Sequence, residues 1–362
     1  MALQPDMKEL AARARADLRV GLPVVLREGD EAALVVSAET VTPARLAELR
    51  KIAPPFVAIT PRRAETLKAR AYSDLVARVR LPDEAGIDWI RALADPADDL
   101  ATPMKGPFAT IRGGSETIAH HAILLAKSAM LLPAAIVVPV GEAEAFAREN
   151  SLTLLDLSDA PESLWASGRL EEVSSGRVPM AVSKAGRLHV FRPVDGGEEH
   201  YAVEIGRPDR HSPVLARLHS ACFTGDVLGS LKCDCGPQLH AALEAMGREG
   251  AGVLLYLNQE GRGIGLANKM RAYSLQDQGF DTVEANHRLG FEDDERDFRI
   301  GSEILKALGF NAVRLMTNNP RKVAMMEAQG IAVAERVPLK VGEGDLNRAY
   351  LATKARKSGH LL

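Results

Sequence analysis

Short apolar runs alternate with helix-like segments twice along this 362-residue chain, and that alternation restricts the fold more than any other feature. Between residues 32 and 141, AALVVSAE precedes TPARLAELRKI and FVAIT precedes PRRAETLKARA. Thr42 and Thr60 each stand directly before a proline. That is a hydroxyl N-cap followed by a residue whose fixed φ suits the first helical position. Beyond residue 250 the alternation resumes with GVLLYLNQ, ANKMRAYSLQDQ, SEILKALGF, AVRLMT and RKVAMMEAQG. Strands and helices in alternation bury their apolar faces by stacking in layers, so the expected fold class is α/β. The length exceeds what one core usually serves. The stretch EVSSGRVPMAVSKAGRLHVFRPVDGGEEH, residues 172–200, carries turn and linker signals. It places a boundary near residue 190 and predicts two α/β domains, 1–185 and 190–362.

Composition adds exclusions. A formal net charge of −3 with 26% charged residues gives no general attraction to nucleic acid, so an anionic ligand needs a local basic cluster. The opening MALQPDMKEL lacks a basic region followed by an apolar core. The most apolar stretch, HAILLAKSAMLLPAAIVVPV (residues 121–140), is interrupted by Lys127 and Pro133 and reads as buried helix, turn and buried strand. The expectation is a cytoplasmic protein without a membrane segment, its odd number of cysteines kept reduced.

All three cysteines fall in one short window, as Cys222, Cys233 and Cys235, with a C-x10-C-x-C spacing. Free cysteines are often small buried hydrophobes, but confinement to one window around the turn Gly225-Asp226 points to a shared ligand. Thiolates suit zinc, and three protein ligands leave one position for a water whose pKa the metal lowers to about 7. His219 or His240 as a fourth, closing ligand is the alternative.

Two strand-to-helix turns have the makings of an anion site. NQEGRGIGLANK (residues 258–269) ends an apolar run in three glycines with Arg262 among them. Glycine admits close backbone approach, and a helix N-terminus supplies amides. LMTNNPRK sets Arg321 and Lys322 in a first helical turn, where cations oppose the helix dipole unless an anion is present. The run DDERDF holds Asp294 beside Arg296. It is either a solvated face or a general base next to a charge-stabilising guanidinium.

Together, RLHSACFTGDVLGSLKCDCGPQL, NQEGRGIGLANKMRAYSLQDQGFDTVEANHRLGF, DERDF, LMTNNPRK and the closing SGHLL make residues 193–362 closely resemble GTP cyclohydrolase II. The resemblance implies one zinc ion on Cys222, Cys233 and Cys235. It implies contacts to GTP from Arg217, His219, Ser220, Gln238, Glu260, Gly261, Arg262, Thr282, Thr317 and Lys322. Asp294 would accept a proton and Tyr273 would assist at the purine ring. Arg296, described in the family as a nucleophile at the α-phosphorus, better suits stabilising phosphoryl charge, since a guanidinium is a cationic donor with no lone pair to offer. The implied reaction is hydrolysis of GTP to 2,5-diamino-6-ribosylamino-4(3H)-pyrimidinone 5′-phosphate, formate and diphosphate, which opens riboflavin biosynthesis. Activated water adds to C8, the imidazole ring opens, and a second water releases formate. Mg²⁺ on the phosphates and a homodimer are implied as well. One departure is Ala221, where the family usually has an acidic residue before the first cysteine. The competing readings are a relative acting on another nucleotide and a non-catalytic nucleotide-binding scaffold.

The first half is similar in outline to 3,4-dihydroxy-2-butanone 4-phosphate synthase, through GLPVVLREGDEAALVVSAETVTP and RGGSETIAHHAILLAKSAMLLPAAIVVPV. The chemistry of that family is missing. Its acidic run D-E-D-R-E-N-E-G-D is reduced to Arg27-Glu28-Gly29-Asp30-Glu31 followed by alanines. Its R-P-G-H reads Met104-Lys105-Gly106-Pro107, and its G-H-T-E-A has neither histidine nor glutamate in place, with His120 and His121 as the only nearby substitutes. The expected outcome is that the purified protein, given ribulose 5-phosphate and Mg²⁺, makes no dihydroxybutanone phosphate; product formation would overturn the reading.

Overall fold

The computed structural model describes residues 3–102, 105–158, 160–166, 168–359 and 361. Met104 of the altered R-P-G-H segment, and His360 and Leu362 of SGHLL, lie outside them. The chain forms two compact units, Met1–Ala166 with Ala267–Asp294 and Ser167–Leu266 with Glu295–Leu362.

The first unit contains β1 (Val24–Glu28), β2 (Glu31–Ser37), β3 (Phe56–Ile59), β4 (Ala77–Arg80), β5 (Ala134–Pro139) and β6 (Leu154–Asp156). They form one sheet in the order β4-β3-β5-β2-β1-β6. Every neighbouring pair is antiparallel except β1 with β6. The REGDE run makes the two-residue turn between β1 and β2, Glu28 facing Glu31 across it, with Gly29 at φ +57. Thr42 and Thr60 cap the helices Pro43–Ile52 and Pro61–Leu67, each hydroxyl accepting from the N–H three residues on. Leu18 of the helix Met7–Arg19 and Ile123 and Leu125 of Thr117–Ser128 pack with Val35 and Val137 in the core. Residues 121–140 thus run from buried helix to buried strand, as their apolarity requires. His121 belongs to this core, its Nδ1 accepting from Trp165 Nε1 at 2.9 Å.

The second unit holds β7 (Leu170–Arg177), β8 (Gly186–Pro193), β9 (His200–Ile205), β10 (Val214–Ser220), β11 (Gly252–Leu257), β12 (Ala312–Met316) and β13 (Ala332–Val337). The sheet order is β13-β12-β10-β11-β9-β8-β7. The first four are mutually parallel and the last three antiparallel additions. Side chains alternate between the faces. Ala216, Leu218, Val253 and Leu255 pack with Ile300, Ile304 and Leu305 of the helix Arg299–Ala307. Leu215 and Leu254 pack with Ala242 and Met246 of the helix Cys235–Glu249.

The division between units differs from the linker reading of residues 172–200, which instead form the hairpin β7–β8 and the turn into β9 through Gly196. Strand β7 is the sheet edge and is exposed along nearly its whole length. A polar edge strand lacks the alternation that marks a half-buried one, so its sequence resembles a linker. Among the described residues, no helix is long and apolar enough to cross a membrane.

Phe310 is fully buried, packed within the second unit's core with the Arg210 guanidinium 4.2 Å from its ring centroid. Phe310→Ala leaves a cavity there and is expected to lower unfolding stability by about 3–5 kcal/mol in denaturant titration.

Candidate active site and metal centre

Strand β10 lies between β11 and β12, parallel to both. The chain therefore leaves three strands at one carboxyl edge, and its course reverses side at β10, the switch point where open α/β sheets bind ligands.

The segment after β10 brings the cysteines together. A wide turn, Phe223–Val227, returns the chain so that Cys233 and Cys235 meet Cys222. The three sulfurs lie within 4.8 Å of one another, with Cys222 and Cys233 buried and their sulfurs 3.7 Å apart. Gly225 is the floor of this cluster. A Cβ there would lie 2.8 Å from Cys233 Sγ and 3.1 Å from Cys222 Sγ. The Cys233 thiol is pushed above its ordinary pKa, chiefly by its hydrogen bond with Cys222. Thiols this close resist ionising together unless a cation accepts their charge, so the set fits a thiophilic divalent metal. Neither His219 nor His240 belongs to the cluster among the described residues.

His219 is occupied elsewhere. The buried Asp226 carboxylate takes the His219 Nε2 contact at 3.0 Å, the Tyr256 hydroxyl at 3.0 Å and the Cys222 N–H at 3.0 Å. The His219 and Tyr256 rings stack with centroids 5.5 Å apart. Burial lowers the His219 pKa below its ordinary value. Burial, with the Asp226 charge beside it, raises that of Tyr256. One carboxylate thus ties β10, β11 and the first cysteine together.

Cations converge on the same edge. Arg217 is buried, donating from Nη1 to Met316 O at 3.0 Å and from Nη2 to Gln238 Oε1, while its Nε has no hydrogen-bond partner among the described residues. Burial brings its pKa down to about 10, against the pull of Asp234 and Cys235, and the Arg296 charge lowers it further. Arg296 donates to Ser220 Oγ at 3.1 Å. Arg296 and Lys322 both lie over the Phe298 ring, at 4.6 and 5.1 Å from its centroid. Lys322 is buried, its Nζ donating to Leu218 O at 3.1 Å. The helix it belongs to, Pro320–Ala328, is capped by Asn319, whose N–H donates to Thr317 Oγ1 at 3.0 Å. Like charges held together out of water repel one another, and an anionic ligand relieves that repulsion.

The glycine-rich loop follows β11. Gly261, Arg262 and Gly263 all have positive φ, an unusual state for Arg262 and one that concentrates at functional sites. A Cβ on Gly263 would lie 2.7 Å from the Glu295 carbonyl, and Glu295 donates its N–H to Arg262 O at 3.0 Å, so this loop and DDERDF interlock. Glu260 accepts from Phe223 N at 2.6 Å and Gly261 N at 2.9 Å, joining the loop to the cysteine turn. The sequence-derived residues brought together in this unit are Arg217, His219, Ser220, Gln238, Glu260, Gly261, Arg262, Arg296, Thr317 and Lys322, with the cysteines. Tyr273, Thr282 and Asp294 lie on the segment Ala267–Asp294, which packs with the first unit.

A GTP cyclohydrolase-2 of Azospirillum brasilense is 45% identical over 365 residues, 96% of this chain and 93% of that protein. This chain belongs to the GTP cyclohydrolase II family. The family's sequence pattern matches residues 171–338. A GTP cyclohydrolase-2 of Azotobacter vinelandii is 61% identical over 175 residues, 48% of this chain and 84% of that one. Among solved structures, a two-domain 3,4-dihydroxy-2-butanone 4-phosphate synthase from A. baumannii aligns with 86% of this chain and 94% of its own, at 16% identity and a TM-score of 0.32.

Sequence reasoning about this cyclohydrolase II chain missed Asp226, Tyr256 and Phe298. Asp226 adjoins the noted Gly225 turn in the cysteine window and could have been found there. Tyr256 and Phe298 carry no local signal, because what matters is the partner each meets through the sheet. His200 was also missed. Its Nδ1 accepts the Asn258 N–H at 3.0 Å at the entry to the glycine-rich loop, and burial pushes its pKa down to about 4. The folded state keeps this ring neutral while the unfolded chain takes up a proton below about pH 6.5. Its contribution is therefore intact above about 6.5 and is lost as pH falls towards 4, by up to about 3 kcal/mol. Denaturation at a series of pH values should show that decline, and His200→Asn, which keeps an acceptor near the Nδ1 position, should flatten it.

Proposed function

We propose that this chain hydrolyses GTP to 2,5-diamino-6-ribosylamino-4(3H)-pyrimidinone 5′-phosphate, formate and diphosphate, the opening step of riboflavin biosynthesis. The observation that carries the reading is the meeting of three sulfurs with Arg217, Arg296 and Lys322 at the carboxyl edge around β10. Family membership supplies the substrate.

Cys222, Cys233 and Cys235 hold a zinc ion, which when bound supplies a Lewis acid able to make water nucleophilic near neutral pH. Arg217 and Lys322 receive the phosphates with Thr317, and Arg262 contributes from the adjoining positive-φ loop. Mg²⁺ accompanies the GTP phosphates. Arg296, held by Ser220, stabilises negative charge at the α-phosphoryl group. A guanidinium is a hydrogen-bond donor and no nucleophile. Gln238, Glu260 and His219 fix the nucleotide's seat through the bonds described above. From the family pattern, Thr282 contacts the nucleotide, Tyr273 assists at the purine ring and Asp294 accepts a proton. The enzyme works as a homodimer. The first half keeps a synthase-like layout without that family's chemistry and is structural.

Cys233→Ser is expected to lose most of its zinc by elemental analysis and most of its formate release from GTP. Retention of full zinc and full turnover would end the three-sulfur metal reading, whereas a wild-type protein that binds GTP and releases no formate would favour a nucleotide-binding scaffold. Turnover of another nucleotide in place of GTP would move the activity to a related reaction.

A further inference from the structure

The segment Ala267–Asp294, drawn from the cyclohydrolase-like half of the sequence, packs as part of the first unit. We propose that the first unit is a positioning scaffold for the catalytic residues on this segment, with Arg271 its central positioning residue. The inference rests on the preceding reading, in which Tyr273 and Asp294 act on the substrate.

Arg271 spends its fork on partners around it. Nε donates to Asp95 Oδ2 at 3.0 Å, Nη2 to Glu39 Oε1 at 3.0 Å and Nη1 to Asn268 Oδ1 at 2.7 Å. The two carboxylates are themselves fixed. Glu39 Oε2 accepts the Leu132 N–H at 2.8 Å, and Asp95 Oδ1 accepts the Ala97 N–H at 3.0 Å. Asn268, fully buried, donates onward to Met130 O at 3.3 Å. Arg271 and Tyr273 stand two residues apart on the helix Gly265–Asp277, about 200° around its axis. Anchoring one side of the helix therefore sets the direction in which the other side presents its tyrosine.

The far end of the segment is anchored independently. Arg62 grips the Glu292 carboxylate from Nη2 at 3.0 Å and Nε at 3.3 Å, two residues before Asp294. Arg63, fully buried, donates to Arg288 O at 3.4 Å. Its main partner is Asp99. Burial would raise that carboxyl's pKa, but hydrogen bonds from Arg63 and Lys105 outweigh it and hold it below the ordinary range. Gly290 allows the closest approach, since a Cβ there would lie 2.7 Å from Thr60 Oγ1. Fixed charges and backbone contacts of this kind set position and direction, which apolar packing alone leaves looser.

The test uses the full-length zinc-loaded enzyme with GTP. Glu39→Gln with Asp95→Asn removes both charges at almost constant shape, and Arg62→Gln releases the far end at an exposed rim. The expected result is a fall in kcat for formate release of about 10-fold for the double variant and less for Arg62→Gln. KM for GTP stays within about twofold and zinc content is unchanged, because the phosphate and metal contacts sit on other residues. Amide exchange across residues 267–294 becomes faster, whereas Lys51→Ala, breaking an exposed pair with Glu48, changes none of these. Unchanged kcat in an active enzyme would overturn the positioning role while leaving the reaction intact. So would a loss appearing only in KM or zinc content. A wild-type protein that releases no formate would overturn the reaction itself. If the double variant does not fold, Arg62→Gln alone decides the same question.

Discussion

Parallel pairing of β10 with both β11 and β12 is the constraint from which the rest of the second unit follows. Three strand ends must open on one edge, and the segments leaving them must find partners there or leave backbone groups unsatisfied. The Asp226 carboxylate serves the first of these needs, taking donors from β10, β11 and the cysteine turn at once. Glu260 serves the second by bridging the cysteine turn and the glycine-rich loop.

The chemistry at this edge is a collection of groups that are uncomfortable alone. Three thiols crowd together, one of them raised in pKa by its neighbour. A buried guanidinium keeps one nitrogen unpartnered and feels a second guanidinium close by. A thiophilic cation would relieve the first strain and an anion the second.

The first unit takes in a segment from the other half of the sequence. Its REGDE run is a hairpin turn, and His121 is a buried residue bonded to Trp165. Its mixed sheet carries elements whose carboxylates, arginines and carbonyls bond to that segment from the other half of the sequence. Rigid support with directional contacts is the physical requirement for placing catalytic groups to within a fraction of an ångström.

Local rules written in the sequence determined much of this protein. Thr42-Pro43 and Thr60-Pro61 start helices where they stand, the apolar run at 121–140 becomes helix and strand, and the cysteine window becomes one cluster. These succeed because capping, periodicity and short-range loop closure act over a few residues. The polar edge strand β7 defeated the same rules, since an exposed strand has no buried face to leave a pattern. Only the tertiary structure decided that His219 binds Asp226 and stays outside the sulfur cluster, that Phe298 sits under two cations, and that Ala267–Asp294 packs with the first unit. His219 and Asp226 stand close in sequence, but the Tyr256 hydroxyl that shares the carboxylate, the Lys322 that joins Arg296 at Phe298 and the partners of Ala267–Asp294 come from tens to hundreds of positions away, which no local spacing encodes.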